Sequence, residues 1–178
     1  MALLLPDWIA DSVCDLTPQL LNRLGITVLL LDFDNTVLPY TSDEPTPEVA
    51  AWLTAVRDGG IRLCVVSNSR KPRAPQFCDE WGIDCLTGAK KPFSRGIRAA
   101  KARYASCGGA IALVGDQIYT DVLGANRAGL FSILVRPIHL SNIWLRLRHV
   151  LELPWIAMGR RKVRREQNRM LSSGTAAE

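Results

Sequence analysis

The sequence predicts an α/β fold in which an open parallel sheet of about five strands lies between two layers of helices. Five short apolar runs alternate along the chain with segments of helical periodicity. The runs are apolar at nearly every position, as expected for strands that helices cover on both faces. Short connections between the two kinds of segment favour right-handed crossovers and therefore parallel strands. Together these observations indicate a three-layer, Rossmann-like architecture.

Each element can be placed on the sequence in order. Strands are predicted over residues 26–31, 61–66, 83–86, 110–114 and 131–135. The first helix between strands is expected to begin at Pro47, with Thr46 as its N-cap, and to end at Gly59-Gly60. Later helices are predicted over residues 73–81, 93–105 and 119–128. We interpret residues 1–140 as one domain that includes an N-terminal helical segment.

The positive charge of the chain is concentrated at its C-terminal end. Residues 1–135 contain 13 Lys and Arg and 14 Asp and Glu, a net charge of −1, whereas residues 136–178 contain nine Lys and Arg and three Glu, a net charge of +6. This asymmetry predicts a polyanionic partner for the C-terminal segment. No apolar run reaches the roughly 18 residues of a membrane-spanning helix, and we expect no signal peptide. Five cysteines without a Cys-x-x-Cys spacing are typical of reduced thiols in an intracellular protein.

Polar side chains follow four of the predicted strands, at the point where each strand ends. Asp32 follows the first strand, Ser67 the second, Lys90 and Lys91 the third, and Asp116 the fourth. The carboxyl ends of parallel strands meet at one edge of a sheet, and ligands bind there. We therefore expect these side chains to converge on one site.

The residue types at that edge suit a metal ion and a phosphate group. Side chains of a strand alternate between its faces, so Asp32 and Asp34 are expected to point to the same side. Two nearby carboxylates repel each other, and a bound cation relieves that repulsion. With Asp116 they offer an all-oxygen ligand set, which suits Mg²⁺ better than zinc. Lys91 and Ser67 would supply a positive charge and a hydroxyl donor to a phosphate.

These residues form a pattern that resembles phosphatases of the haloacid dehalogenase (HAD) superfamily. The D-x-D-x-T motif is present as DFDNT, followed by Ser67 in VVSNS, Lys91 in KKP and the acidic motif GDQIYTD. All four motifs occur in order over residues 28–121. More narrowly, they resemble the YqeG-like subgroup, whose known functions include phosphatidylglycerophosphate phosphatase. The likeness extends over nearly the whole chain, from LLPDWIADSV to the segment around LSNIWLRLRHVLE.

The resemblance implies a capless HAD-like domain and a role for each motif residue in the hydrolysis of a phosphomonoester. Asp32 would attack phosphorus and form an aspartyl-phosphate, while Asp34 would act first as general acid and then as general base. Mg²⁺ would be bound by the Asp32 carboxylate, the Asp34 backbone carbonyl and Asp116. Lys91 and Ser67 would neutralise and orient the phosphate.

Neighbouring polar residues are expected to support these groups: Asn35, Thr36, Asn68 and Asp121. Asp121 would orient a water or Lys91, although a place in the first turn of a helix would equally explain an acidic residue there. Of the two adjacent lysines, Lys91 is assigned to the phosphate because it directly precedes Pro92, as in the family pattern. Lys90 is the alternative.

The spacing of the motifs leaves no room for a large cap domain. Only 30 residues, 37–66, separate the first motif from the end of the second strand, and one helix with its loops accounts for them. An open site favours a bulky or membrane-presented substrate, such as phosphatidylglycerophosphate, over a soluble sugar or nucleotide phosphate. A non-enzymatic phospho-acceptor of the receiver type fits less well, because a receiver lacks an acid two residues beyond its acceptor.

The C-terminal segment, residues 141–178, predicts a basic amphipathic helix capped by Ser141 and followed by a disordered polar tail, SSGTAAE. Apolar residues share one helical face: Ile143, Leu147, Val150 and Leu151. The candidates for contact with an anionic membrane are aromatic and basic: Trp144, Arg146, Arg148, Trp155, Arg160, Arg161, Lys162, Arg164 and Arg165. Nucleic acid is the competing polyanion, but no binding motif for it accompanies the cluster. We expect a cytoplasmic protein attached peripherally to the inner face of the membrane.

Overall fold

The structure, a computed structural model, describes residues 3–139 and 143–174. Within these residues, six parallel strands form one sheet: β1 (Trp8–Ile9), β2 (Ile26–Leu31), β3 (Arg62–Val66), β4 (Asp84–Leu86), β5 (Ala110–Gly115) and β6 (Phe131–Leu134). Six α-helices accompany it: α1 (Pro18–Arg23), α2 (Pro47–Asp58), α3 (Arg73–Trp81), α4 (Ser94–Arg103), α5 (Leu123–Ala128) and α6 (Ile143–Gly174). A π-helical turn, Ile118–Val122, leads directly into α5.

The predicted fold class is confirmed, and each of the five predicted strands lies within one residue of its expected bounds. The sixth strand, β1, was not predicted because two residues are too few to show a period. The predicted start of α2 is also confirmed, since the Thr46 hydroxyl accepts a hydrogen bond from the backbone N–H of Val49 at 3.3 Å. The segment predicted as one helix over residues 119–128 instead begins with the π-helical turn.

The strand order places a crevice at the centre of the sheet. The strands lie in the order β1-β6-β5-β2-β3-β4, so the chain leaves β2 in one direction and returns on its other side at β5. In doubly wound sheets, ligands bind outside the carboxyl ends of the strands at such a reversal. The backbone N–H of Asp32 donates to the carbonyl of Val114 at 2.8 Å, which aligns the two strand ends.

Both faces of the sheet are buried, which explains why its strands are apolar throughout. Leu29 and Leu31 of β2 pack with residues of α1, α2 and α3 on one face. Val28 and Leu30 of the same strand pack with residues of α4 and α5 on the other. A fully buried leucine contributes on the order of 2 kcal/mol. Burial on both faces holds the polar residues that follow β2 and β5 in a fixed position.

Helix α6 docks along β1 and the π-helical turn. Val163 is 4% exposed, and Lys162 forms an ion pair with Asp7 at 2.7 Å. At Gly159 the helix comes so close to the N-terminal segment that an added Cβ would lie 2.8 Å from the ring of Pro6. One face of α6 is therefore bound to the body of the protein.

The sequence predictions for the C-terminal segment extend beyond the described residues. Ser141, the predicted N-cap, lies outside them, and so do residues 175–178 of the predicted disordered tail. Residues 172–174 of that tail belong to the last turn of α6. None of the helices that the structure describes is both long and apolar enough to cross a membrane.

Replacing Gly159 with alanine tests the docking of α6. In an undocked helix, alanine would stabilise by about 1 kcal/mol relative to glycine. In the docked helix, the new Cβ would meet the ring of Pro6, so we expect the melting temperature to fall by about 2–4 °C for each kcal/mol lost. Ala157→Leu, on the exposed side of the helix, is the control and should have little effect. A rise in the melting temperature of Gly159→Ala would contradict the docked position.

Candidate active site

Three buried carboxylates and one lysine meet at the carboxyl ends of β2 and β5. Carboxylate oxygens of Asp32, Asp116 and Asp121 lie within 4.8 Å of one another. The Nζ of Lys91 lies 2.5 Å from Asp32 Oδ1 and 2.7 Å from Asp121 Oδ1. When all four groups are ionised, the cluster carries a net charge of −2. Buried like charges at this spacing require further positive charge.

The π-helical turn and a glycine bring Asp121 into this cluster. The Asp121 carboxylate accepts hydrogen bonds from the backbone N–H of Gln117 and the hydroxyl of Thr120, both at 3.2 Å. It lies directly against Gly115, where an added Cβ would come within 2.3 Å of the Asp121 carboxyl carbon. Glycine is therefore required at the end of β5 for Asp121 to reach Lys91.

The Asn68 side chain hydrogen-bonds to both the backbone N–H and the backbone carbonyl of Lys91. The backbone N–H of Lys91 donates to Asn68 Oδ1 at 2.6 Å, and Asn68 Nδ2 donates to the Lys91 carbonyl at 3.0 Å. Lys90 adopts a left-handed conformation and its side chain is exposed. The structure thus places Lys91, and not Lys90, beside the carboxylates.

Ser67 lies buried at the end of β3, as expected from the sequence. Its hydroxyl oxygen accepts a hydrogen bond from the backbone N–H of Ser69 at 3.0 Å, which leaves the O–H proton available to a ligand. The hydroxyl therefore both orders the following turn and can bind a phosphate oxygen.

Asn35 and Thr36 hydrogen-bond to the carboxylates that follow β5 and β2. Asn35 takes a left-handed conformation at φ 67°, which asparagine tolerates, and its Nδ2 donates to Asp116 Oδ2 at 3.3 Å. Asn35 Oδ1 also accepts a hydrogen bond from the backbone N–H of His139, which follows β6, and Asn35 Nδ2 donates to the His139 carbonyl. Thr36 donates to Asp32 Oδ2 at 3.3 Å. The first motif is thereby connected to the ends of β5 and β6.

Burial and crowding shift the protonation of the cluster. Burial, with the charges of Asp121 and Asp32, raises the pKa of Asp116 to about 7. Burial also raises the pKa of Asp121, although the charge of Lys91 opposes that shift. For Lys91 itself, burial alone would lower the pKa, but Asp121 and Asp32 together raise it above its usual value. Lys91 therefore remains charged, whereas Asp116 and Asp121 keep a proton to higher pH than ordinary aspartates.

The cluster fits a divalent cation. The Oδ1 atom of Asp116 is buried and accepts no hydrogen bond, and such an oxygen needs a partner. The three side chains offer oxygen ligands only, as Mg²⁺ prefers, and a charge of +2 would balance the cluster. From the sequence, the expected metal ligands were Asp32, the backbone carbonyl of Asp34 and Asp116. In the structure, the third carboxylate beside Asp32 and Asp116 is Asp121. That interpretation of the Asp34 carbonyl stays a prediction.

The Asp34 side chain lies apart from the three-carboxylate cluster, bound to Arg73 at the start of α3. Arg73 Nη1 lies 2.5 Å from Asp34 Oδ1, and Arg73 Nε lies 2.6 Å from Asp43 Oδ1. The guanidinium also donates to the carbonyls of Pro39 and Ser42. Arg73 thus connects the expected acid/base residue to the loop at the mouth of the site.

The role of Arg73 was missed in the sequence, although a signal was present. A cation in the first turn of a helix is unfavourable to the helix dipole, so Arg73 needs another reason to be there. Its guanidinium lies 5.0 Å above the ring of Phe33, which adds a cation–π contact to the ion pair. Burial raises the pKa of Asp34, while the charge of Arg73 opposes the shift.

Glu152 of α6 is a second residue that the sequence interpretation missed. It is 1% exposed, and its carboxylate accepts hydrogen bonds from the backbone N–H groups of Ile118 at 2.9 Å and Tyr119 at 3.4 Å. It therefore caps the π-helical turn that carries Asp121. A single glutamate within the apolar run HVLELP was the available signal.

The structure distributes the predicted membrane-contact residues over different faces of α6. Trp155 packs against Ile118 and Val122 of the body instead of facing outward, because that side of α6 is docked. Arg148 lies half-buried, and its charge partly opposes the rise in pKa that burial causes at Asp116 and Glu152. The other basic candidates, apart from the half-buried Lys162, are exposed: Arg146, Arg160, Arg161, Arg164 and Arg165. The side chain of Trp144 lies outside what the structure describes.

A cavity of about 370 Å³ lies at the end of the sheet opposite to the carboxylate cluster. It is lined by Arg62, Ile83 and Asp84 at the amino ends of β3 and β4. Among the described residues, it contains none of the carboxylates that could hold a metal together. Since ligands of parallel sheets bind at the carboxyl ends, we assign the function to the carboxylate cluster.

Comparison with known proteins agrees with this site. Residues 6–129 match the family model of the haloacid dehalogenase-like hydrolases, and that range includes Asp32 through Asp121. The chain is 32% identical over 142 residues to the probable phosphatase YqeG of Bacillus subtilis (strain 168), which covers 78% of this chain and 80% of that protein.

Two crystal structures are similar at low sequence identity. An uncharacterized protein from Listeria monocytogenes serotype 4b is 15% identical, with a TM-score of 0.48 over 72% of this chain and 99% of that one. A hypothetical protein from Xanthomonas campestris is 14% identical, with a TM-score of 0.48 over 78% of this chain and 79% of that one.

Magnesium ions should stabilise the protein more at pH 8 than at pH 6. The raised pKa values of Asp116 and Asp121 mean that the folded state binds their protons more tightly than the unfolded state, so this contribution to stability falls as the pH rises from about 4 to about 7. At pH 8 the carboxylates are ionised and repel each other, and a divalent cation relieves the repulsion.

The measurement is the melting temperature with and without MgCl₂ at each pH. Asp116→Asn should raise the metal-free melting temperature at pH 8 and abolish the increase due to MgCl₂. An equal increase at both pH values would contradict this account.

Replacing Arg73 tests the acid/base role expected of Asp34. In Arg73→Met, we expect kcat to fall roughly 10- to 100-fold, as is typical when a residue that orients a functional group is lost. Without the opposing charge, the pKa of Asp34 rises further, so the limb of the kcat–pH profile that reports Asp34 should move to higher pH. Asp43→Asn removes only an exposed partner of Arg73 and should leave both nearly unchanged. A pH profile of Arg73→Met that matches the parent protein would refute the positioning role.

Proposed function

Since the chain belongs to the haloacid dehalogenase-like hydrolases and is a phosphatase of the YqeG type, we propose that it hydrolyses the phosphomonoester of an anionic phospholipid. Phosphatidylglycerophosphate is the proposed substrate, and Mg²⁺ is the proposed metal. The observation that carries the lipid assignment is the outward face of α6, which is apolar and basic while the opposite face supports the catalytic turn.

The positions of Asp32 and Lys91 support the chemistry of the proposed reaction. An oxygen of Asp32 attacks phosphorus, the bond from phosphorus to the alcohol oxygen breaks, and an aspartyl-phosphate forms. The Lys91 ammonium beside Asp32 neutralises charge on the phosphoryl oxygens, and the Ser67 hydroxyl donates to one of them. Water then attacks the same phosphorus and releases inorganic phosphate, which restores the Asp32 carboxylate.

Asp34 handles the protons of both steps in this proposal. It gives a proton to the departing alcohol oxygen and then takes one from the attacking water. Burial raises its pKa and Arg73 lowers it, and this balance suits a group that must alternate between acid and base. Arg73 holds the carboxylate at the mouth of the site, away from the three-carboxylate cluster.

The bound metal would supply positive charge beside the transferring phosphoryl group. HAD hydrolases typically use a divalent metal, and Asp32 and Asp116 are the side chains proposed to hold it here. Asp121 lies in the same carboxylate cluster while it also pairs with Lys91. The buried, unpaired oxygen of Asp116 supports this assignment.

The described part of the chain contains no cap domain over the carboxylate cluster, which suits a substrate whose bulk lies outside the protein. The described chain between β2 and α2 forms only a loop, without a cap domain. Tyr40 of that loop is 50% exposed. Burial and the nearby charges of Asp116, Asp34 and Asp32 raise the pKa of its hydroxyl, as expected for a residue beside the cluster. A lipid headgroup could therefore approach from a membrane without a lid having to open.

The outward face of α6 supports a proposed contact with an anionic membrane. Large apolar residues recur along it at helical spacing and are 48–70% exposed: Ile143, Leu147, Val150, Leu151 and Met158. The exposed Arg161 and Arg165 continue the same face toward the C-terminus. Such a combination is typical of helices that lie in the membrane interface. The proposed location is therefore peripheral, on the anionic cytoplasmic face of the membrane.

Charge reversal on this face separates a lipid substrate from a soluble one. We expect Arg161→Glu/Arg165→Glu to weaken binding to vesicles containing phosphatidylglycerol by at least roughly 30-fold, because each basic residue contributes about 1 kcal/mol. Hydrolysis of phosphatidylglycerophosphate in those vesicles should fall in parallel, while hydrolysis of p-nitrophenyl phosphate should not change. Flotation and phosphate release are the measurements.

Two controls accompany this experiment. Arg62→Glu/Arg95→Glu reverses two exposed charges elsewhere and should bind vesicles like the parent protein. Asp32→Asn should abolish hydrolysis of every ester while leaving vesicle binding intact. Activity on soluble sugar or nucleotide phosphates alone, with no binding to vesicles, would refute the lipid assignment and leave the phosphatase assignment in place.

A further inference from the structure

A cavity of about 170 Å³ lies beside the carboxylate cluster, between α6 and the carboxyl ends of β1 and β6. Asp116 forms part of its wall, so the cavity adjoins the site that binds the transferring phosphate. Leu134, Leu153 and Ile156 make much of its lining apolar. None of the reaction steps described above uses this space.

The cavity continues into a longer groove along α6. A second space of about 360 Å³ shares Arg136 and Arg160 with the first and extends to Arg164 and Gln167. His149 and Arg160 are eleven residues apart on α6, about three helical turns, and so they line the same side of the helix. The groove therefore starts at Asp116 and follows one side of α6.

The groove carries a positive charge that the protein neutralises only in part. Arg136 pairs with Asp11 at 2.9 Å, but the two side chains are 65% and 73% exposed, so the pair is weak and solvent-screened. Arg160 and Arg164 add two further cations. Burial and the charges of Arg148 and Arg136 lower the pKa of His149, which favours the neutral form of this residue in the groove.

We propose that this groove binds the alcohol portion of the substrate, with Arg136 and Arg160 binding a second anionic group, a phosphodiester, carried by that alcohol. The proposal rests on the proposed phosphatase function and adds a specificity site to it. A diester anion is the natural partner of an arginine pair, since guanidinium groups bind phosphate oxygens through two parallel hydrogen bonds. The apolar lining accommodates the carbon atoms that join the monoester to the diester.

The position of the groove distinguishes it from the membrane face. Arg160 follows Gly159, which packs on Pro6, and it lines the groove together with Ile9 and Asp11 of the N-terminal segment. Leu147 and Val150, on the outward face of α6, do not line the groove and are more than half exposed. Substitution of Arg136 or Arg160 should therefore change the recognition of soluble substrates, which a purely membrane-binding arginine would not do.

The test compares water-soluble substrates with and without a second anion. Glycerophosphoglycerol phosphate carries both a phosphomonoester and a phosphodiester but no acyl chain, whereas p-nitrophenyl phosphate carries only the monoester. In Arg136→Gln and Arg160→Gln, we expect KM for the first substrate to rise about tenfold, with kcat retained. KM for p-nitrophenyl phosphate should change less than twofold. Arg95→Gln, an exposed arginine outside the groove, is the matched control.

Two further measurements make each outcome decisive. Dioctanoyl phosphatidylglycerophosphate should show the same rise in KM as its deacylated counterpart, because the groove binds the diester and not the acyl chains. Asp11→Asn, which frees Arg136, should lower KM for both diester substrates or leave it unchanged. Equal effects of Arg136→Gln and Arg160→Gln on all substrates would overturn the groove proposal. Failure of the parent protein to hydrolyse any diester-containing ester, with p-nitrophenyl phosphate still hydrolysed, would overturn both the groove proposal and phosphatidylglycerophosphate as substrate, and would leave the phosphatase assignment in place.

Discussion

Buried negative charge at the carboxyl ends of β2 and β5 is the constraint on which the rest of the site depends. Three carboxylates lie within 4.8 Å of one another, and Lys91 balances only one of their charges. Each surrounding contact keeps this unfavourable arrangement in place. Asn68 holds the backbone of Lys91, Gly115 leaves room for Asp121, and Asn35 binds Asp116. A divalent cation relieves that repulsion when it binds, and its charge then also favours the approach of an anionic phosphate group.

Asp34, the proposed acid/base residue, is separated from this cluster, and the proposed mechanism gives that separation a chemical use. If the Asp34 carboxylate shared the metal, its proton affinity would follow the metal charge. Instead Arg73 holds it at the mouth of the site, where burial and one guanidinium oppose each other in setting its pKa. The proposed nucleophile, Asp32, and the proposed acid, Asp34, thereby occupy different electrostatic environments, although they are two residues apart.

Helix α6 connects the chemistry to the proposed membrane surface. Its inner face caps the π-helical turn through Glu152 and lines the groove beside Asp116, while its outer face exposes apolar and basic side chains. Loss of the whole helix would therefore remove support for Asp121 together with any lipid contact. Substitutions confined to one face separate the two roles, because opposite faces of one helix contact different surroundings.

The sequence by itself determined the parallel sheet and the convergence of Asp32, Ser67, Lys91 and Asp116. Apolar runs mark strands buried on both faces, and parallel strands bring their carboxyl ends together. Only the tertiary structure decided the partners of Asp34, the entry of Asp121 into the carboxylate cluster, the capping role of Glu152 and the packing of Trp155 against the body. These depend on contacts between segments far apart in the chain and on which side of a helix docks. The periodicity of apolar residues along the chain predicts neither these contacts nor the docked side of a helix, because an apolar helical face has the same pattern whether it packs on protein or on lipid.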